Sequence, residues 1–185
     1  TSATWDVEIS SSEFQEPKQY QVRVKSKDKA GNWDAVFSTR TFYCDRTLPT
    51  SALTYPTPSQ YINVQNLTTI SGTCSGTLND DVPADPPQGY MQFKLYYLSG
   101  GTTYWWQIGG PWDTTEPVWQ NVTSLDGGLN TQVWYYTNAG LTWLVDTKYY
   151  AMLKVKDKAG NEAAPQTPWF IYYYDVTQPT ATITN

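Results

Sequence analysis

The side chains in this sequence that could do chemistry are thiols, carboxylates and large aromatic rings. Two cysteines, Cys44 and Cys74, are enough for one disulfide bond or for two separate thiols. Clusters of carboxylates provide the oxygen ligands that Ca²⁺ prefers. The 9 tryptophans and 15 tyrosines offer ring faces that stack on sugars and large side chains that anchor protein interfaces.

The same side chains argue against an enzyme. The chain has no histidine, which excludes Ser-His-Asp and Cys-His catalysis within it. No CxxC pair is present, so a zinc site is not expected either. No glycine-rich phosphate loop leads from a strand into a helix, and nothing marks a cleft for a hydrolytic carboxylate pair. We therefore expect no catalytic residues and no required cofactor. The alternative within this argument is a module appended to a large enzyme.

Charge and hydropathy restrict the partners. The net charge is −5, whereas binding to nucleic-acid phosphates needs a basic surface. No apolar run approaches the 18 residues or so of a membrane span. We expect no nucleic-acid partner and no membrane contact within this segment.

An internal repeat determines how the aromatic and acidic residues are arranged. Residues 20–32 read YQVRVKSKDKAGN, and residues 149–161 read YYAMLKVKDKAGN. Downstream of both copies a D-x-T-x-P-T sequence recurs, at residues 45–50 and 175–180. Two copies of the same ordered motifs in one chain predict a series of similar modules. We expect residues 1–45 to be the C-terminal strands of one module, 46–175 a complete module, and 176–185 the start of another. The proline of each D-x-T-x-P-T sequence would stiffen the junction.

The elements that carry these residues are predicted to be strands. In the second copy Tyr149, Ala151, Leu153 and Val155 alternate with polar positions, as in a half-buried strand. In DKAGN, aspartate can cap a turn and glycine can take the left-handed position that follows. Further strands are predicted at residues 67–73, 90–97, 104–108, 132–136 and 169–174, separated by turn residues. This pattern favours an all-β sandwich without helices.

The motifs resemble a known family. Gly72-Thr73-Cys74-Ser75, the strand led by Tyr149, the DKAGN turn at 157–161 and Asp175 with Pro179 are similar to the immunoglobulin-like repeats of large bacterial and archaeal surface proteins, including adhesins. Two departures stand out: Gly76 replaces the usual acidic residue, and the region from Gly100 to Leu141 is longer and more aromatic. The resemblance implies tandem immunoglobulin-like β-sandwich modules with a scaffold or adhesive role at the cell surface or outside the cell.

In that topology the second strand returns to the junction end of the module, and this brings the thiols and acids together. We expect Cys44 and Cys74 to form a disulfide that locks two modules; the alternative is two separate thiols, one of them buried. The same end would hold a calcium site formed by Asp45, Asp80, Asp81, Asp157 and Asn161. The alternative is that Asp157 caps a turn while Asp80 and Asp81 lie in a solvated loop.

The aromatic cluster in the long region is the candidate interaction site. Adjacent residues of a strand point to opposite faces, so Trp105 and Trp106 cannot both lie in one core. About half of the cluster is expected to be core and the rest to contact a neighbouring copy or, as the alternative, a glycan. The cluster consists of Tyr104, Trp105, Trp106, Trp112, Trp119, Trp134, Tyr135 and Tyr136.

Two N-glycosylation sequons begin at Asn66 and Asn121, and they predict glycosylation where the source and compartment of the protein support it. The alternative, favoured for a bacterial chain, is that both are chance matches. The primary functional hypothesis is a stiff structural segment of an extracellular surface or filament protein, in which aromatic side chains join neighbouring modules or copies. The alternative is an adhesin or carbohydrate-binding module that recognises a glycan or a host surface protein.

Overall fold

The computed structural model describes residues 4, 6–16, 18–63, 67–75, 90–128, 131–165 and 169–183, with the backbone alone at 127–128 and 169–171. The chain separates into two compact units, Thr1–Arg46 and Thr47–Asn185. The predicted all-β fold class is confirmed, because the described residues form strands and a single 3-10 turn. The predicted start of another module at residue 176 stays a prediction.

The first unit is a β-hairpin with a short preceding turn. The 3-10 turn Ser11–Glu13 leads into strand β1 (Lys18–Val24), which pairs antiparallel with β2 (Ser38–Cys44). The ring centroid of Phe14 lies 4.8 Å from that of Tyr20 and 5.3 Å from that of Phe42. Val22 of β1 is 37% exposed. This hairpin therefore has an apolar face that the described residues cover only in part.

The second unit contains two sheets. The first has the order β10-β11-β5-β3, and the second has the order β4-β13-β12-β6-β7-β8, with β9 also paired to β6. The bounds are β3 Thr50–Tyr55, β4 Gln60–Ile62, β5 Thr69–Ser75, β6 Met91–Ser99, β7 Thr102–Trp106, β8 Trp112–Asp113, β9 Gln120–Asn121, β10 Ser124–Gly128, β11 Thr131–Thr137, β12 Thr147–Val155 and β13 Trp169–Tyr174.

The inward residues of the two sheets form one hydrophobic core, as expected for a sandwich. The alternation predicted for β12 is confirmed, because Tyr149, Ala151, Leu153 and Val155 are at most 1% exposed. Gly72 of β5 lies opposite Trp134 of β11. A Cβ at Gly72 would lie 1.9 Å from the Ala52 carbonyl oxygen and 2.6 Å from the Trp134 ring. Only glycine therefore lets this indole lie across the strand.

The strands of the two sheets pair antiparallel except at one edge of the larger sheet. Strand β4 pairs parallel with β13, with Tyr61 opposite Tyr173. The long strand pair β6–β12 forms the centre of the larger sheet, with Leu95 opposite Ala151.

A tyrosine at the start of the repeated strand fixes the preceding corner in both units. The Leu144 backbone N–H donates to the Tyr149 hydroxyl oxygen at 2.5 Å. In the first unit the Gln15 backbone N–H donates to the Tyr20 hydroxyl oxygen at 2.6 Å. Each bond reaches five residues back along the chain. This arrangement matches the tyrosine corner of immunoglobulin-type sandwiches.

The DKAGN turn also has the same geometry in the two units. The Asn161 N–H donates to the Asp157 carboxylate at 2.8 Å, and the Asn32 N–H donates to the Asp28 carboxylate at 2.8 Å. Gly160 and Gly31 have φ values of 96° and 98°, a region that glycine adopts without strain. The predicted roles of aspartate and glycine in this turn are confirmed.

Tyr149→Phe tests the tyrosine corner. The change keeps the buried ring and removes the acceptor of the Leu144 N–H, so we expect a loss of about 1–2 kcal/mol in the free energy of unfolding. Urea denaturation followed by fluorescence measures it. Tyr61→Phe is the matched control, because Tyr61 is 69% exposed and should change stability by less than about 0.5 kcal/mol. Equal stability of both variants would show that the corner bond contributes nothing.

Candidate functional site

Two tryptophans of the predicted interaction cluster lie in the core. Trp134 is 0% and Trp106 is 1% exposed. The Trp106 indole N–H donates to the Tyr136 hydroxyl at 2.8 Å, and that of Trp134 donates to the Ala52 carbonyl at 3.2 Å. Their polar groups are satisfied inside the sandwich, so neither ring is available to a ligand or a partner.

Trp112 and Tyr104 are half-buried at the edge of the core. The Trp112 indole N–H donates to the Thr142 carbonyl at 2.9 Å, and its ring packs against Trp106 with centroids 5.6 Å apart. The Tyr104 ring is nearly parallel to Tyr97, with centroids 4.9 Å apart. These two residues seal the core and expose only part of their surface.

The remaining members of the predicted cluster are divided between the core and two surfaces. Tyr136 is 4% exposed in the core, Tyr135 is half-buried on the outer side of the smaller sheet, and Trp105 and Trp119 lie on the outer side of the larger sheet. Trp105 is half-buried there, opposite Tyr96 in the β6–β7 register. The sequence argument that Trp105 and Trp106 point to opposite faces is thus confirmed. We call this surface the outer aromatic face. Its members are Tyr61, Tyr96, Trp105, Trp119, Tyr150 and Tyr173.

The rings of the outer aromatic face stand against one another rather than flat on the sheet. The Tyr96 and Tyr150 rings are stacked, with centroids 5.1 Å apart and planes 17° apart. On its other side Tyr96 meets Trp105, with centroids 4.8 Å apart. At the far edge of the sheet Tyr61 and Tyr173 form a further pair at 5.3 Å. The face therefore presents ring edges and hydroxyl groups outward.

A nearly buried lysine lies among these rings. Lys94 is 8% exposed, and its ammonium lies 2.5 Å from a Glu116 carboxylate oxygen. The same ammonium is 5.0 Å from the ring centre of Trp119 and 5.8 Å from that of Trp105. A carboxylate and two electron-rich rings offset the loss of hydration. Sequence reasoning missed this group, because a lysine on the outward side of a strand reads as solvated.

Lys154 extends the same arrangement along β12. Its ammonium lies 3.0 Å from Glu162 and 5.9 Å from the Trp119 ring centre. A lysine on the outward side of a strand is ordinarily solvated, yet Lys154 is held by a carboxylate and a ring. Trp119 thus contacts two lysines from neighbouring strands, which fixes the segment that crosses the sheet after β8.

The predicted calcium ligands are only partly within the described residues. Asp80 and Asp81 lie outside them, and Asp45 belongs to the first unit, whereas Asp157 and Asn161 belong to the second. Asp157 is 0% exposed; one carboxylate oxygen accepts the Asn161 N–H, and the other has no hydrogen-bond partner among the described residues. Within those residues no group of three acidic, histidine or cysteine side chains could hold a metal. Calcium binding stays a prediction.

The two cysteines have different surroundings. Cys44 is half-buried at the end of β2, and Cys74 is 1% exposed in the core of the second unit. Burial raises the pKa of the Cys74 thiol to about 12, so at neutral pH it is protonated and unreactive. The disulfide between Cys44 and Cys74 stays a prediction.

The structure describes the asparagine of only one of the two sequons. Asn66 lies outside the described residues. Asn121 is half-buried in β9, and its side-chain oxygen accepts a hydrogen bond from the Gln92 amide at 3.0 Å. A glycan on Asn121 would have to displace this bond between β9 and β6. Glycosylation at either position stays a prediction.

No protein-family model, curated protein or solved structure matches this chain. None of the described residues belongs to a helix with the length and hydropathy of a membrane span.

Thiol labelling separates the disulfide from a buried thiol. With Cys74 free and buried, we expect a maleimide reagent at neutral pH to label Cys74 only after unfolding in urea, without any reductant. Peptide mass spectrometry identifies the labelled residue, and Cys44→Ser provides the control in which no disulfide can form. Absence of label on both cysteines in urea, reversed by a reductant, would instead demonstrate the disulfide.

Alkaline pH should destabilise the second unit. Burial raises the pKa of the Cys74 thiol to about 12 and raises the pKa values of the Tyr149 and Tyr172 phenols above their ordinary range. In the unfolded chain these groups ionise near about pH 8.5 and 10. Their contribution to the free energy of unfolding is therefore fully present below about pH 8.5. It is lost as the pH rises towards the pKa values that these groups have in the folded protein.

We expect the urea concentration at the midpoint of unfolding to decrease between about pH 8 and pH 11, because the pKa values of these groups in the unfolded chain lie in that range. Cys74→Ala should show a shallower decrease just above about pH 8.5, because only the tyrosines then contribute. A midpoint that is constant over this range would contradict the assigned burial of these groups.

Proposed function

We propose that this chain is a structural segment of an extracellular surface or filament protein, in which the outer aromatic face joins neighbouring copies. The observation that carries the proposal is the row formed by Trp105, Tyr96 and Tyr150 on the outer side of the larger sheet. Tyrosine and tryptophan are the residues most enriched at the centres of protein interfaces. Such a segment needs no catalytic group and no cofactor.

The ring geometry favours a protein partner over a sugar on this face. A sugar stacks on an open ring face, but Tyr96 has Tyr150 on one side and Trp105 on the other. The Lys94 ammonium also lies 5.8 Å from the ring centre of Trp105. The accessible edges and hydroxyl groups suit the mixed apolar and hydrogen-bonding contacts of protein interfaces.

The junction motif supports a stiff scaffold. The Asp175 N–H donates to the Ile62 carbonyl at 3.1 Å, and the Asp175 carboxylate accepts the Thr177 N–H at 2.8 Å. The Thr177 hydroxyl also donates to Asp146 at 3.4 Å. These bonds tie the residues that follow β13 to the body of the second unit, which restricts their motion relative to it.

The local geometry shared by the two units supports the repeated-module part of the proposal. Tyr20 and Tyr149 make the same bond to a backbone N–H, and the turns begun by Asp28 and Asp157 close in the same way. Repeated units whose internal contacts are alike suit an array of scaffold modules.

Self-association tests the outer aromatic face. We expect the full 185-residue chain to associate reversibly, and the double variant Tyr96→Ser, Trp105→Ser to weaken the association constant at least about tenfold, since aromatic anchors dominate such interfaces. Sedimentation velocity over a range of concentrations measures the constant. The matched control is Tyr135→Ser, which removes a half-buried tyrosine from the outer side of the smaller sheet.

A chain that stays monomeric up to about 100 µM would overturn the proposal. Equal weakening by Tyr135→Ser would also count against it, because the contact would then not be specific to the larger sheet. Thermal unfolding of each variant separates loss of contact from loss of fold.

A further inference from the structure

The outer side of the first-unit hairpin carries exposed rings and lysines. Lys25 follows Val24 at the end of β1, and the alternation of a strand points it away from the face that carries Tyr20. The Lys25 ammonium lies 5.2 Å from the ring centre of Phe37, which is 56% exposed. In a second pair the ammonium lies 5.5 Å from the ring centre of an indole that is 59% exposed. We call this surface the basic patch, and its members are Lys25, Lys27, Trp33 and Phe37.

The internal repeat shows which charge the basic patch lacks. An isolated β-bridge follows the repeated strand in each unit, and its second residue is Trp33 in the first unit and Glu162 in the second. The Glu162 carboxylate lies 3.0 Å from the ammonium of Lys154, whose position in the first copy of the repeat is that of Lys25. An indole thus replaces the carboxylate that neutralises the equivalent lysine of the second unit.

One acidic group of the hairpin faces Lys25, but it is already hydrogen-bonded. An Asp34 carboxylate oxygen accepts the Ser26 N–H at 3.0 Å and the Ser26 hydroxyl at 2.5 Å. These bonds lower the pKa of Asp34, and the charge of Lys25 contributes a smaller effect. Neither Lys25 nor Lys27 forms a salt bridge with another of the described residues. Their ammonium groups therefore have donors left for a carboxylate of another molecule.

A complementary surface lies on the outer side of the larger sheet in the second unit. The side chains of Glu116 and Glu162 are 56% and 43% exposed, whereas the lysine side chains paired with them are only 10% and 23% exposed. A molecule that approaches this surface therefore meets the carboxylates before the ammonium groups. Val118 adds apolar area, because it is 86% exposed. We call this surface the outer ridge, and its members are Glu116, Val118, Trp119 and Glu162.

The basic patch and the outer ridge match in charge and in apolar area. A carboxylate has about four acceptor sites, so Glu116 and Glu162 can each accept from a second ammonium while they keep the first. The exposed rings of the patch can bury the Val118 side chain, which removes apolar surface of both from water. The ridge also continues the outer aromatic face, of which Trp119 is a member, so it belongs to the side of the sheet that is proposed to join copies.

We infer that the basic patch of one copy docks on the outer ridge of a second copy, with Lys25 and Lys27 bonded to the ridge carboxylates and Trp33 packed on Val118. The inference rests on the proposed function, in which copies associate through this side of the sheet, and it names the surface of the second copy that takes part. Because the two surfaces differ, a copy that has used one still offers the other. Such a heterologous contact repeats from copy to copy and produces a ring or a filament.

Mixing two variants of the full chain, each defective in one surface, tests the inference. Lys25→Ser, Lys27→Ser removes the charges of the patch, and Val118→Lys places a like charge on the ridge at a position that is 86% exposed. Each variant alone should associate at least about tenfold more weakly than the original chain, because complementary charge is lost or opposed. An equimolar mixture keeps one intact patch and one intact ridge, so it should form a dimer that does not extend. Sedimentation velocity measures both effects.

Lys18→Ser, Arg40→Ser is the matched control, because it removes two charges from the opposite face of the same hairpin. It should change the association constant by less than about twofold, as expected for exposed charges without a partner, and thermal unfolding checks that every variant is folded. Unchanged association of both defective variants would overturn the inference, and so would a mixture that associates no better than either variant alone.

The outcome for the proposed function is read separately from Tyr96→Ser, Trp105→Ser. If that variant weakens association and the patch and ridge variants do not, the present inference fails while the proposed role of the Trp105, Tyr96 and Tyr150 row stands. If the patch and ridge variants weaken association and that variant does not, the contact between patch and ridge is supported and the row is not the joining surface.

Discussion

The buried phenol of Tyr149 is the contact on which much of the second unit depends. Its ring centroid lies 4.7 Å from Trp143, 5.2 Å from Trp112 and 5.3 Å from Tyr172, and its hydroxyl accepts the Leu144 N–H. A single side chain thus joins the centre of the core to the corner that precedes β12. That corner carries Asp146, so the position of this carboxylate follows from how the Tyr149 ring is packed.

The high tryptophan content has a structural explanation that does not require a ligand. Trp134 of β11 bonds to Ala52 of β3 in the same sheet, whereas Trp106 of β7 bonds to Tyr136 of β11 in the opposite sheet. Trp143 bonds to the Leu67 carbonyl at 2.7 Å. Each indole fills the core and also meets a specific oxygen, which selects one arrangement of strands over others that would bury the same apolar area.

Short-range patterns in the sequence were sufficient to predict the strands and turns, but not which outward side chains are buried. The alternation from Tyr149 to Val155 and the turn closed by Gly160 depend on neighbouring residues, and both were predicted correctly. The burial of Lys94 was not predictable, because it depends on Trp119 and Glu116, which are distant in the sequence and cross the sheet later. The sequence predicted in part which tryptophans are buried. The period-two alternation of a strand is enough to place Trp105 and Trp106 on opposite faces of the sheet.

The parallel pairing of β4 with β13 bears on mechanical load. A pull on the two ends of the second unit acts on β4 from its start and on β13 from its end, so the pair is sheared along its length. Hydrogen bonds loaded in this direction share the force and must break together, whereas an antiparallel hairpin opened from one end loses them in turn. The rate of forced unfolding, not the equilibrium stability, decides how long such a contact lasts. The second unit would therefore resist brief tension through a strand of only three residues, Gln60–Ile62.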